Sequence, residues 1–265
     1  MPSFQYTPQV QAEYQRLFDT CVINPDKYPD VDAAIKMIIK NQPRYEVVSA
    51  TVGVPWYFIG LTHYMEGGCD FSTHLHNGDP LTARTVQVPK GRPVEGNPPF
   101  TWEASAEDAM IYEDLNTWID WSIPGVLYKL EGYNGYGYHK SSIAINSPYL
   151  WSFSNLYTKG KFVSDGQFSP TAVSKQCGAG VLLRRMVEKN MITANVTDRL
   201  TLIKQLGPEV TFNPSRYNAK AEELQQIMNL AGSHLKVDGK AGRITSDAYH
   251  SFTGSFLAGD TAMGA

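Results

Sequence analysis

Leu61-Thr-His-Tyr-Met-Glu-Gly-Gly-Cys-Asp-Phe-Ser-Thr-His-Leu-His-Asn-Gly-Asp-Pro-Leu-Thr-Ala-Arg-Thr85 sets a glutamate, a helix stop, a turn signal and several hydroxyls within 25 positions. Just upstream, Pro55 suits a first helical position and the run from Trp56 to Met65 is mostly apolar, while Gly67-Gly68 supplies the left-handed residue that ends a helix. Glu66 therefore falls at a helix C-terminus. There the last carbonyls carry partial negative charge, and the apolar run before Glu66 implies partial burial; both raise a carboxyl pKa. A carboxylic acid that keeps its proton near neutral pH is what a glycosidase requires of its general acid. The position also suits a solvated acid near a helix end. From Phe71 to Val88, residues alternate in polarity around His76-Asn77-Gly78-Asp79, and Asn-Gly is a strong hairpin signal. The expectation is a helix that ends in glutamate and runs into a polar β-hairpin.

Working outward, Val10, Tyr14, Leu17, Phe18 and Cys21 form a helical stripe. Asp30 or Asp32 can cap a second helix that uses Ile35, Ile38 and Ile39, and a short third helix runs from Pro43 to about Val52. Pro89 to Pro99 reads as loop. Ser105-Ala-Glu-Asp108 has the form of a capping box and predicts a helix through Tyr112. Another helix is expected from about Ser122 to Glu131. It runs into Gly132-Tyr-Asn-Gly-Tyr-Gly-Tyr138, and Asn146-Ser-Pro-Tyr-Leu-Trp-Ser-Phe-Ser-Asn155 follows. Trp151 and Asn155 are an aromatic and an amide of the kind that line sugar subsites. Ser169-Pro170 predicts the start of a helix to about Lys189, and a further helix is expected from Val196 to Leu206. The turn-rich stretch after Gly207-Pro208 is where a domain boundary is expected.

Composition narrows the partners. Charged residues make up 18% and the net charge is −3, so no polybasic surface points to nucleic acid or anionic lipid. Aromatics are 12%, with 15 Tyr and 5 Trp; sugar rings offer apolar faces that stack on such side chains, though most aromatics serve a core. Three cysteines, Cys21, Cys69 and Cys177, lack CxxC spacing and argue against a disulfide framework or a structural zinc site. No run approaches the length of a membrane span and the N-terminus lacks the pattern of a signal peptide. A monomer made in the cytoplasm, without stable membrane insertion, is expected. If its substrate lies beyond the membrane, another component must carry it across.

A helix closed by glutamate and followed by a hairpin resembles the lysozyme superfamily. More closely, His74-Leu-His-Asn-Gly-Asp-Pro-Leu-Thr-Ala-Arg-Thr85 with Val88-Pro-Lys-Gly-Arg-Pro93 resembles phage and bacterial lysozyme-like endolysins that carry a peptidoglycan-binding tail. Tyr133-Asn134-Gly135 is similar to the Tyr-Asn-Ala-Gly turn of goose-type lysozymes and lytic transglycosylases, with Gly135 in place of alanine. The resemblance implies a mainly α, lysozyme-like domain with a small β-hairpin, and cleavage of the peptidoglycan glycan strand without metal or cofactor. It implies Glu66 as general acid, Asp79, Thr82 and Thr85 as candidates for handling water, and Tyr133, Asn134, Tyr136, Trp151, Asn155 and His76 as candidates for holding substrate. Hydrolysis is the expected outcome, and lytic transglycosylation of the same bond the alternative.

In the tail, Leu224-Gln225, Asp238-Gly239, Gly242 and Thr245 resemble a short three-helix peptidoglycan-binding domain, although the usual Phe-Gln at its end is Phe252-Thr253. The expected organisation is a catalytic domain at 1–207, a linker at 208–218 and a small helical domain at 219–265. Two readings of another class compete. His74 and His76, with His63, Cys69, Asp70 and Asp79 near in sequence, could serve a zinc peptidase, although the spacing fits no zinc motif. In the other, the chain binds or builds structure and Glu66 does no chemistry.

Overall fold

The computed structural model describes residues 4–139, 143, 145–164, 166–192, 199–231 and 233–261. Its helices are α1 Pro8–Thr20, α2 Tyr28–Lys40, α3 Gln42–Val52, α4 Trp56–Gly67, α5 Trp102–Tyr112, α6 Ile123–Asn134, α7 Pro148–Trp151, α8 Ala179–Glu188, α9 Arg199–Leu206, α10 Ala219–Leu230 and α11 Arg243–Thr253. A single two-stranded antiparallel sheet among the described residues joins β1 (Lys161–Ser164) to β2 (Gln167–Ser169), with Phe162 opposite Phe168. The chain is thus mainly helical with one small hairpin. It divides into two compact units, Met1–Phe4 with Tyr14–Ala194, and Gln5–Glu13 with Asn195–Ala265.

The first unit is built around α4. Tyr57 through His63 and Met65 are buried, and the helix packs against α2, α3, α6 and α8, so it is apolar all round, as a central helix must be. Gly60 makes this possible: a Cβ there would lie 2.7 Å from Ile38 Cγ2 and 3.1 Å from the Tyr45 ring. Pro55 is the residue before the first turn rather than its first member, and Gly68, at φ 58°, caps the C-terminus by donating to the carbonyls of His63 and Tyr64. Helix α8 is tied to α2 through Arg185 and Lys189, which both pair with Asp32. Asp32 therefore serves an ion pair rather than a cap.

The hairpin lies elsewhere than expected. Between Asp70 and Phe100 there is no strand, and a lone bridge between Thr73 and Pro80 is all the pairing around Asn77-Gly78. Pro80 has no N–H to extend a ladder, and farther along the loop side chains take backbone groups, Asp79 the N–H of Val86 and Gln87 and His74 the Ala83 carbonyl. The sheet forms instead at 161–169. Ser169 ends β2 and its hydroxyl accepts from Ala172 N–H, so Ser169-Pro170 opens a turn, and α8 starts nine residues after Pro170, at Ala179. Gly178 precedes it because a Cβ there would come within 2.3 Å of the Leu150 carbonyl oxygen. Helix α5 likewise starts earlier than expected: Thr101 is the cap, accepting from Ala104 N–H, and Ser105 is buried inside the helix.

In the second unit α9 packs against α10 and α11. The expected linker holds a short 3-10 turn at Gly207–Glu209, and Thr211 and Asn213 bridge to Ala258 and Ala241, so this stretch is woven into the unit. Asn218 caps α10. Buried Gln225 bonds through Nε2 to Asp238, Lys240 and Thr245, and through Oε1 to the N–H groups of Asp238 and Gly239. Its amide fastens the Asp238-Gly239 turn to the start of α11. The expected beginning of α9 at Val196 lies outside the described residues. Among the described residues no helix is long and apolar enough to cross a membrane.

Candidate functional site

Glu66, the penultimate residue of α4, is exposed enough for a ligand to reach, yet protein surrounds its carboxyl. Loss of water around it raises its pKa, the Tyr149 hydroxyl bond opposes the rise, and the charge of Glu113 adds to it. Tyr149, on α7, donates to Oε1 at 2.7 Å. One residue earlier, Gln176 Nε2 donates to the Met65 carbonyl at 2.9 Å, so an orphan carbonyl at the helix end is satisfied and the last turn is held.

Tyr133, in the last turn of α6, completes the cluster. Its hydroxyl is buried and has no hydrogen-bond partner among the described residues. Burial pushes its pKa well up, and the charges of Glu113 and Glu66 push the same way. Glu113 follows α5 as its C-cap; burial also raises its carboxyl, opposed by Lys129. Helix ends of α4, α5, α6 and α7 thus supply two carboxyls and two phenols to one place. The adjacent Asn134 is exposed and lines a groove of about 460 Å³ with Gly135, Tyr138 and Phe162. Gly135, at φ 80°, stops α6, and the Tyr138 hydroxyl accepts from Phe162 N–H at 3.1 Å. The β1–β2 hairpin therefore forms one wall of the groove at Asn134.

Most of the remaining expected residues make structural contacts. Asp79 is buried, and its Oδ2 accepts from Val86 N–H, Gln87 N–H and Asn77 Nδ2. Those backbone donors lower its pKa, which makes it a weak base, with its Oδ2 engaged by three donors. Thr85 is buried and bonds to Pro89 O and Arg92 N–H; Thr82 is exposed on the same loop. His76 gives Nε2 to Asp108, which also pairs with Arg92 through two bonds of 2.8 Å, and its side chain is 1% exposed. His74 is bonded to Ser105 and to the Ala83 carbonyl, and His63 lies between Tyr45 and the Asp70 carbonyl. Each histidine of the zinc reading thus has a structural partner, and no group of three His, Cys, Asp or Glu among the described residues is arranged to hold a metal.

Trp151 is 1% exposed, a core residue rather than a sugar platform. The Asn155 amide accepts from Val22 N–H and donates to the Thr20 carbonyl at the end of α1. Tyr136 stacks on Tyr128 and donates to its carbonyl, folding back over Gly132, where a Cβ would come within 2.7 Å of the hydroxyl. Glu131, the acid on α6, is buried against the Tyr14 hydroxyl at 2.6 Å and His139 at 3.2 Å. The sequence reading missed Tyr149, Glu113, Lys129 and Gln176. Tyr149 alone carried a signal, since it lies in the aromatic stretch already marked and only the choice within that stretch was off. Compared with protein-family models, with curated proteins and with solved structures, the chain finds no match.

Proposed function

We propose that the first unit cleaves the glycan strand of bacterial peptidoglycan, with Glu66 passing its proton to the glycosidic oxygen. The observation that carries this reading is a carboxyl that solvent can reach but whose pKa is raised by its surroundings, set beside an unpartnered phenol. A general acid needs both access and a retained proton. The buried Tyr133 hydroxyl is part of the surroundings of Glu66, and Asn134 offers its amide to a sugar from the wall of the groove. The sequence resemblance supplies the substrate, and the second unit serves as the wall-attachment module.

Water is the proposed acceptor. With Asp79 engaged in loop contacts, Glu113 takes over as the second carboxyl of the site. Lytic transglycosylation is the second reading, favoured by the three donors that occupy Asp79, because that reaction needs no group to activate water. Mass spectrometry of digested peptidoglycan separates them, reducing muramic acid ends against 1,6-anhydro ends. Glu66→Gln keeps the shape and removes the transferable proton; loss of about two to four orders of magnitude in the rate of wall lysis is expected. A variant that lyses walls within tenfold of the parent overturns the proposal.

A further inference from the structure

We propose that Tyr149 is a positioning residue for Glu66: its hydroxyl holds Oε1, so that the transferable proton is carried by Oε2. This deepens the proposed function and rests on it. The contact is 2.7 Å long and joins positions 83 residues apart, the end of α4 and the short α7. Tyr149 is the donor, because burial and the Glu66 charge push its pKa well up and keep its proton in place. The oxygen that accepts from the phenol is then the carbonyl-like one of the neutral acid, and the proton lies on the other.

The same bond favours the reaction. When the Oε2 proton passes to the glycosidic oxygen, the bond from that oxygen to the sugar's anomeric carbon breaks, and the leaving oxygen keeps the electron pair. The carboxylate left behind bears negative charge on both oxygens. The Tyr149 bond then becomes charge-assisted, which strengthens it as the transition state develops. The frame is rigid on both sides. Gln176 holds the Met65 carbonyl, and Leu150 and Trp151, next along α7 from Tyr149, are wedged in the core.

Tyr149→Phe keeps the ring and removes the hydroxyl. The measurements are product release from purified peptidoglycan between pH 4 and 9, and titration of the Glu66 carboxyl by NMR in protein labelled with 13C-glutamate, assigned with Glu66→Gln. The expected result is a plateau rate lower by about 10- to 100-fold and an alkaline limb, with the Glu66 titration, moved up by about one pH unit. The sign follows from losing a donor that favours the carboxylate. A merely structural lesion has the opposite sign, since water entering the site relaxes the acid towards its ordinary value and moves the limb down. Incorporating 3-fluorotyrosine at position 149 keeps the shape and strengthens the donor, and should lower the titration; this arm decides if Tyr149→Phe does not fold. An unchanged or lowered Glu66 titration in folded Tyr149→Phe, or an unmoved one with 3-fluorotyrosine, overturns the inference. If Glu66→Gln stays active, the functional reading and this inference fall together. If Glu66→Gln is inactive while Tyr149→Phe keeps the parent profile, the positioning role alone falls.

Discussion

Replacing Trp151 with phenylalanine separates a core residue from a sugar platform. The indole is 1% exposed and packs on α8 so closely that a Cβ on Gly180 would lie 3.2 Å from its Cζ3 and 2.9 Å from the Leu150 carbonyl oxygen. Phenylalanine removes about three heavy atoms from this contact. At about 0.8 kcal/mol for each buried carbon-sized group, and with a cavity that the rigid helix pair only partly closes, the loss is about 2 to 3 kcal/mol. With a urea dependence of about 2 kcal/mol per molar, the unfolding midpoint falls by roughly 1 M. Urea unfolding followed by far-UV circular dichroism measures this, and initial rates against peptidoglycan concentration give the catalytic side. Because Trp151 lies two positions beyond Tyr149, kcat drops as the phenol shifts, while KM stays within about twofold. An unchanged midpoint with KM raised tenfold or more would put the ring on the surface under a sugar and refute the packing argument.

Two further expectations bear on the acids. Since the folded pKa of Glu66 is raised above the ordinary 4.5, its stability contribution is full below about pH 4.5 and is lost as pH rises through the folded value. Glu66→Gln should therefore match the parent in thermal stability near pH 3.5 and exceed it at pH 8, and a variant less stable at pH 8 would contradict the raised pKa. Asp79 has the opposite sign: its folded pKa is lowered below 3.8, so its contribution is present above that value and is lost as pH falls through the folded one. Asp79→Asn should lyse walls within tenfold of the parent while the Val86 and Gln87 amides exchange faster with deuterated solvent. A rate loss of two to four orders of magnitude with unchanged exchange would restore Asp79 as a general base.

Much of the helical frame was legible because burial writes its period into the sequence. The apolar run of α4, closed by two glycines, gave the central helix and set Glu66 at its end, and the second unit's turns could be read from Asp238-Gly239 and Gly242. The starts of α5 and α8 were harder, because a cap is chosen by packing as much as by residue type. Ser105 looks like a cap, but its hydroxyl is needed by the buried His74. Ser169-Pro170 looks like a helix start, but the chain reaches α8 only after Gly178 clears the Leu150 backbone.

The polar string from His74 to Arg92 shows why chemistry is hard to read from residue types. A loop of this length without strands must satisfy its own backbone, and Asp79 and Thr85 do so with the same groups that would hold a sugar or activate water. Carboxylates, hydroxyls and imidazoles are as useful for ordering a loop as for catalysis, and what separates the two uses is which neighbours the fold brings to them. Asp79 has three donors on a single oxygen. Tyr133 is buried with none on its hydroxyl among the described residues. That difference depends on which helix ends meet, α4 with α5, α6 and α7, across separations of 83 residues in the case of Glu66 and Tyr149. Spacing along the chain carries no trace of it, so Glu113 and Tyr149 emerge as partners of Glu66 only once the helices are packed.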